Sequence, residues 1–575
     1  MGDKIKEVFY SLCHSDFVSE SYRQLLIKIF CFLAILSIIP VSAAFVEEAG
    51  KNVRVGITDN NFQNVLRQQV VVYATAESDI CDKDGKSLLH VEPNTDIQVT
   101  NLLSGMEVIV GGLGATLNEF NIVCKSGQLG VRGLKRKGKQ ALYGGMFEFV
   151  QEKEHRGFYL VNVIDLEEYL KGVVPNEMPV RFGLEALKAQ AVAARNYVLT
   201  PRTQAYDEFN VVDSVASQVY FGANTEEDLA TRAVMETNGI VALYNHEPIL
   251  TLYSSTAGGY TESYSNSFSD NLTGVFPSVP KPYLTAVPDK ENFGMLDTEE
   301  KAKEFYSSKI PSFDIESPYY RWQKEWGVGE LENILKKTLV AQSKTGFINP
   351  AFRENDTLGK IKDIKVMKRG PSGKVMELDL MTSKGCYRIS KELVIRRVFQ
   401  KDGISLPSAN VIFEKKLDNM GNITDITAYG GGFGHGVGMS QFGAGYMATK
   451  LHQPYYNILR HYYKGISLGT TPVSIIGKEV EQNFWAPVGR AHIVIIGPSA
   501  PKINVMINGK THELSVNRSF FQKETKIDIS RLIEDGQNKI LFYPSYLPMK
   551  VYIELVESYN TNTNKNLMDN EEFDR

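Results

Sequence analysis

The sequence predicts an α+β protein of several domains: a mixed core that carries a glycine-rich loop, a β-rich region before it and a β-sandwich after it. Three observations carry this. The chain has 575 residues, too many for one ordinary core. Short runs of period-two alternation, separated by Gly, Asn and Asp, crowd both ends. Between them stand one strong alanine-rich helical segment and a cluster of glycines over residues 430–445. A hydrophobic share of 43% and a charged share of 23% are those of a folded globular protein. The formal net charge of -4 gives no reason to expect nucleic acid as a partner. The 28 Tyr and 29 Phe suit sheets and sugar-stacking surfaces alike.

Taken in order, the first element is "IFCFLAILSIIPVSAAFV" (29–46), which has no charge, follows Arg23 and Lys28, and passes through Val41-Ser42-Ala43. It reads as an export signal or, if uncleaved, a membrane anchor over residues 1–45. The bulk of the chain is therefore expected outside the cytoplasm, touching membrane only through this segment. The five cysteines, Cys13, Cys31, Cys81, Cys124 and Cys386, show no metal-ligand spacing. Their scarcity argues against a disulfide framework, and the spacing leaves a Cys81–Cys124 bond open.

Residues 46–148 form the β-rich region, with runs such as "QQVVVYA", "TDIQVT", "MEVIVGG" and "FNIVCK". The central domain is set at 149–469. It opens on "FYLVNVI", continues through "DLEEYLKGVVPNEMP", and then shows its clearest helix at 183–199. On that helix Glu185, Lys188, Arg195 and Asn196 fall on one side and the alanines mostly on the other. Further on, "LDTEEKAKEFYSSKI" and "LENILKKTLVAQS" read as helices. The runs "IKDIKVMKRG" and "KVMELDLMTSKGCYRIS" read as a hairpin turning at Pro371-Ser372-Gly373. The segment "PYYNILRHYY" (454–463) reads as the last helix of the domain. Over 470–557, "AHIVIIG", "KINVMING" and "KILFYPS" alternate as a small β-sandwich, expected to be separable and to aid binding rather than chemistry. The tail, 558–575, is too polar to fold alone.

One acid stands out. In "VVPNEMP" Glu177 lies between Pro175 and Pro179, whose rings restrict the backbone around it. The reading is a linker between a hydrophobic strand and a helix, holding a carboxylate that points into a cleft. Gln190 projects from the apolar side of the following helix, so its amide is either a structural cross-link or a positioned group at a cleft floor. Around His435, "GGGFGHGVGMSQ" lets backbone approach a ligand closely, yet it has neither a P-loop lysine nor a dinucleotide fingerprint. His435 is then a proton partner, an orienter, or a structural residue in a tight turn, with Ser440 and Gln441 beside it. Neither Ser255 nor Ser440 sits in a "GxSxG" elbow, which sets aside a Ser-His-Asp hydrolase.

The motifs "LEEYLKGVVPNEMP", "EALKAQAVAARNY", "SQVYFG", "SSTAGGYTES" and "GGGFGHGVGMSQFGA" together closely resemble the stage II sporulation protein D family, over residues 149–468. That resemblance implies a cell-wall enzyme cutting peptidoglycan between N-acetylmuramic acid and N-acetylglucosamine by lytic transglycosylation, with Glu177 as the catalytic acid. It also implies glycan strands as partner, possible companions among wall hydrolases or amidases, and a non-catalytic amidase enhancer as the alternative. The expected substrate contacts are Gln190, Arg195, Gln218, Tyr220, Ser255, Thr256, His435, Ser440 and Gln441. No cofactor is implied, and no metal: "TPRTQAYDEFNVVDSVASQV" lacks the Cys and His that some members of the family place there for a metal. Glu168, Glu185, Asp213 and Glu262 are the acids that would have to come near Glu177 for a two-carboxylate hydrolysis.

Overall fold

The computed structural model describes residues 52–200, 207–270, 272–290, 294–487, 490–517 and 523–556. The leader or anchor expected over 1–45 and the tail over 558–575 lie outside them. Among the described residues, no helix is long and apolar enough to cross a membrane. The architecture is mixed helix and sheet, with several sheets, as an α+β reading requires.

Two sheets built from the N-terminal strands share one core. An eight-stranded sheet runs Val211–Val212, Asn52–Gly56, Phe158–Asp165, Met146–Gln151, Glu119–Cys124, Ser78–Cys81, Ser87–Val91, with Leu66–Arg67 alongside Phe158–Asp165. A six-stranded sheet runs Lys139–Tyr143, Leu129–Arg136, Gln69–Ala74, Ile97–Leu102, Gly105–Val110, Leu113–Leu117. Alternation places the apolar faces inward: Phe120 and Ile122 are buried, and Phe120 stacks on its cross-strand partner Phe149 with centroids 4.5 Å apart. Cys81 and Cys124 are free thiols. Cys124 faces Ser78 and Cys81 faces Asn121, so the two sit three rungs, about 10 Å, apart, too far for a disulfide.

Strand Phe158–Asp165 positions the site. It pairs with Asn52–Gly56 on one side and Met146–Gln151 on the other, then turns directly into helix Leu166–Glu177. Asp165 makes that turn: its Oδ1 accepts the N–H groups of Glu167 and Glu168 at 2.8 and 3.3 Å. A boundary at 148/149 would pass through the Met146–Gln151 strand.

Helix Leu184–Leu199 lies at the centre of the middle region. It packs against helices Leu166–Glu177, Asp228–Met235, Gln441–Thr449 and Tyr455–Tyr462. The two-sided pattern expected for it does not hold, because neighbours bury it nearly all round, Gln190, Arg195 and Asn196 included. Its alanines are what permit so many close neighbours.

The C-terminal strands, expected to be a separable unit, pair into the middle of the chain. Strand Val241–Tyr244 pairs with Ser467–Gly469, which pairs with Lys550–Val556, which pairs with Arg490–Ile496. One sheet of the C-terminal sandwich is thus continuous with the middle of the chain. Val241 and Leu243 pack with Val494 and Tyr552 in one buried cluster. The facing sheet, Val480–Ala486, Gly536–Phe542, Lys502–Ile507, Lys510–Ser515, is tied in by the Trp485 N–H on the Asn238 carbonyl.

A further block interrupts the middle region and has its own core around Trp326, Leu331, Leu335, Leu378 and Ile395. It holds helices Val328–Ser343 and Glu392–Val398, and a strand meander in which Ile361–Arg369 and Val375–Thr382 form the predicted hairpin. Its last strand, Ile423–Gly430, opens straight into the glycine loop.

Candidate active site

Glu177 is the last residue of helix Leu166–Glu177, not part of a linker ahead of a helix. Pro175 sits inside the last turn, where it cannot donate to the ladder, and Met178 is already extended. The carboxylate therefore stands at the negative end of the helix dipole, the reverse of the favourable placement at a helix N-terminus. Val173, Val174 and Met178, all fully buried, form the apolar wall beside it. Burial is the main reason that its carboxyl rises from an ordinary 4.5 to about 7, and the helix end acts in the same direction.

Two donors hold the carboxylate. The Val219 N–H reaches its Oε1 at 2.6 Å, and the Tyr253 hydroxyl bonds the same side chain. Behind Tyr253 the polarity of a buried chain is set. The Tyr169 hydroxyl donates to Gln218 Oε1 at 3.1 Å, and Gln218 Nε2 donates to the Tyr253 oxygen at 3.1 Å and to the Ala194 carbonyl at 3.3 Å. With its oxygen accepting from Gln218, Tyr253 is left with its hydrogen for Glu177. Both donors favour the ionised form and offset part of the burial effect.

The glycine loop closes the other side. Strand Tyr253–Ser254 pairs in parallel with Met439–Ser440, which leads into helix Gln441–Thr449. The approach demands glycine: a Cβ on Gly438, at φ 74°, would lie 2.0 Å from the Leu252 carbonyl oxygen, and one on Gly434 would lie 2.8 Å from the Ser254 Cβ. Gln441, the first residue of its helix, donates Nε2 to the Glu177 carbonyl at 3.0 Å and to Gln190 Oε1 at 3.3 Å. Gln190 is fully buried, and its own Nε2 has no partner among the described residues.

His435 spends both ring nitrogens on backbone. Nδ1 accepts the Val437 N–H at 3.0 Å, which puts the proton on Nε2, and the ring also bonds the Tyr253 backbone. Burial, with Lys374 and Arg396 nearby, holds its pKa down to about 3. It is a neutral staple between the loop and the Tyr253 strand; a role as proton partner near neutral pH does not fit this setting.

The remaining expected contacts divide. Arg195 is buried and grips Glu167 with two nitrogens at 2.7 and 2.6 Å while a third bonds the Ile240 carbonyl at 2.9 Å. In this setting it is a strut that joins two helices to the residue just before strand Val241–Tyr244. Tyr220 is buried, bonding Asn162 Oδ1 at 2.9 Å, and Ser440 caps its helix by accepting the Gly443 N–H at 3.2 Å. Thr256 bonds Asp314, whose buried carboxyl is raised to about 6 by desolvation and by Asp289. Ser255 is half-buried and its carbonyl accepts the Phe442 N–H. The candidate second acids are engaged elsewhere: Glu168 with Lys171, Glu185 with Lys188, Asp213 with Arg136, and Glu262 with Ser372.

Sequence reasoning missed Tyr253, the Val219 N–H and Asp314. For Tyr253 a signal existed, since it stands two residues before Ser255 on an extended stretch and so shares its face. For Asp314, which lies far along the chain from Glu177, none did.

Held by a hydroxyl and an amide beside a glycine loop, the Glu177 carboxyl is placed to take up and release a proton near neutral pH. Residues 154–244 match the family model described as stage II sporulation protein, and residues 270–438 match a domain of unknown function. The chain is 31% identical over 301 residues to the amidase enhancer of Bacillus subtilis (strain 168), a stretch that is 52% of this chain and 40% of that protein. It is 32% identical over 328 residues to stage II sporulation protein D of Bacillus amyloliquefaciens, covering 54% of this chain and 75% of the relative. The same protein of Bacillus subtilis is 30% identical over 324 residues, covering 54% and 75%. The chain belongs to the stage II sporulation protein D family.

Proposed function

We propose that this protein is an exported cell-wall enzyme that cleaves peptidoglycan glycan strands by lytic transglycosylation, in wall remodelling linked to sporulation. Glu177, protonated, gives its proton to the oxygen between N-acetylmuramic acid and N-acetylglucosamine, and the C1–O bond breaks. The carboxylate left behind is held by Val219 and Tyr253. It then takes the proton of the muramic acid C6 hydroxyl as that oxygen bonds to C1, giving a 1,6-anhydro end. One carboxylate serves both steps, which suits a site where the other nearby acids are paired elsewhere. The observation that carries the reading is the Glu177 carboxyl at about 7, able to hold and release a proton near neutrality.

The test is mass spectrometry of products from purified sacculi and from peptide-free strands. Anhydro ends that vanish in Glu177→Gln support the reading; reducing ends would make it a hydrolase, and no cleavage by the wild type would overturn it. The name of the amidase enhancer relative supports a second reading, a non-catalytic glycan-binding protein that stimulates wall amidases. On that reading the wild type and Glu177→Gln stimulate an added amidase equally.

A further inference from the structure

The block that interrupts the middle region docks on the glycine loop through residues 317–322. The Tyr319 carbonyl accepts the Gly432 N–H at 2.8 Å, and Trp322 Nε1 donates to the Gly432 carbonyl at 3.1 Å. The joint is tight, since a Cβ on Gly431 would lie 2.8 Å from the Tyr320 carbonyl oxygen. On it two aromatic rings lie open to solvent. Tyr319 and Phe433 stack with centroids 4.4 Å apart and planes inclined by 21°, yet they are 39% and 41% exposed. Rings of this size are ordinarily drawn into the core, and a stacked pair fixed by backbone from two separate elements has little freedom to turn inward.

The position of the pair ties it to Glu177. Phe433 and Thr256 exchange backbone hydrogen bonds, at 2.9 and 3.4 Å. Thr256 is three residues on from Tyr253, whose hydroxyl holds Glu177, so the joint lies at most about 10 Å along the chain from Tyr253. Two rings are far too small a patch for a stable protein interface. They are the right size for one flat, partly apolar sugar ring, and they are bonded to the same stretch of chain that carries Tyr253.

We propose that Tyr319 and Phe433 form a stacking shelf for a pyranose ring of the glycan strand, away from the bond that is cut, and that supplying Tyr319 is a function of the interrupting block. The inference rests on the glycan-cleaving reading in that it takes the same ligand. Aromatic stacking supplies affinity rather than proton transfer, so the shelf acts on binding.

The test uses the full chain carrying Glu177→Gln, so that strands are bound and not consumed, with peptide-free peptidoglycan glycan strands as the probe. Tyr319→Ala weakens binding about tenfold, as loss of an aromatic contact does. Tyr319→Phe, which keeps the ring, binds as the parent does, and Tyr546→Ala, remote in sequence and 98% exposed, changes nothing. Thermal midpoints of all the variants match. Unchanged affinity in a folded Tyr319→Ala overturns the shelf, as does an equal loss in Tyr546→Ala. In the background of native Glu177, Tyr319→Ala raises KM and leaves kcat within about twofold; a fall in kcat alone also overturns it. Shelf-dependent binding by a wild type that makes no anhydro ends would sink the enzymatic reading and leave the shelf standing. Cleavage with KM unmoved in Tyr319→Ala would do the reverse.

Discussion

Replacing Glu177 by Gln should stabilise the fold at neutral pH while it removes turnover. The folded carboxyl titrates at about 7 against an ordinary 4.5. At about 1.4 kcal/mol per tenfold, that difference is about 3 kcal/mol. The sign follows from which state holds the proton. Below pH 4.5 the folded and unfolded chains both keep it, and the carboxyl has no effect on stability. From there to pH 7 the unfolded chain releases a proton that the folded chain retains, so stability is lost as pH rises through the folded value. Above pH 7 the loss levels off. Gln does not titrate, so the mutant escapes it, and any constant cost of the amide leaves the pH slope untouched. Urea unfolding of both proteins from pH 4 to pH 8 measures this, and their difference cancels the other titrating groups. The mutant should gain about 3 kcal/mol across that range, with turnover down ~10²–10⁴-fold. Two parallel stability curves would refute the reasoning, because they would mean that Glu177 is an ordinary solvated acid.

Tyr253→Phe removes one donor to the carboxylate, so the high-pH limb of the rate profile should move up by about one pH unit, the scale of a charged hydrogen bond; an unmoved limb would show that the hydroxyl does not reach Glu177 in the working enzyme. Arg195→Ala leaves Glu167 without its partner and should cost about 3 kcal/mol in thermal melts, while glycan affinity below the melt is kept. Full stability with lost affinity would return Arg195 to the substrate set. A chain ending at Gly469 strips Val494 and Tyr552 from Val241 and Leu243 and should aggregate or melt early, since exposing two such side chains costs about 3–6 kcal/mol. A monomeric product with the parent's melting point would show the sandwich to be separable after all.

Much of the local structure was legible. The period-two runs became strands, and the segments read as helices between residues 299 and 462 are helices. The glycine cluster does bring two backbones together, for the steric reason that Gly438 makes plain. The helix over 184–199 was found, but its polar side was misjudged. Helical periodicity sorts residues by angle and cannot know that helices and a strand will cover most of them, so Arg195 and Asn196 looked exposed and are buried.

By itself the sequence determined which segments could be strands or helices and which acid the two prolines frame, because those depend on neighbours along the chain. The tertiary structure decided the chemistry of that acid. Whether Glu177 began or ended a helix, and whether Tyr253 and Val219 would meet it, turns on contacts between residues 42 to 76 positions apart. It also decided that the C-terminal strands would join the Val241–Tyr244 sheet. Such pairing is made by backbone N–H and C=O groups that nearly every residue carries, so no side-chain pattern announces it, and only the folded chain selects which edges meet.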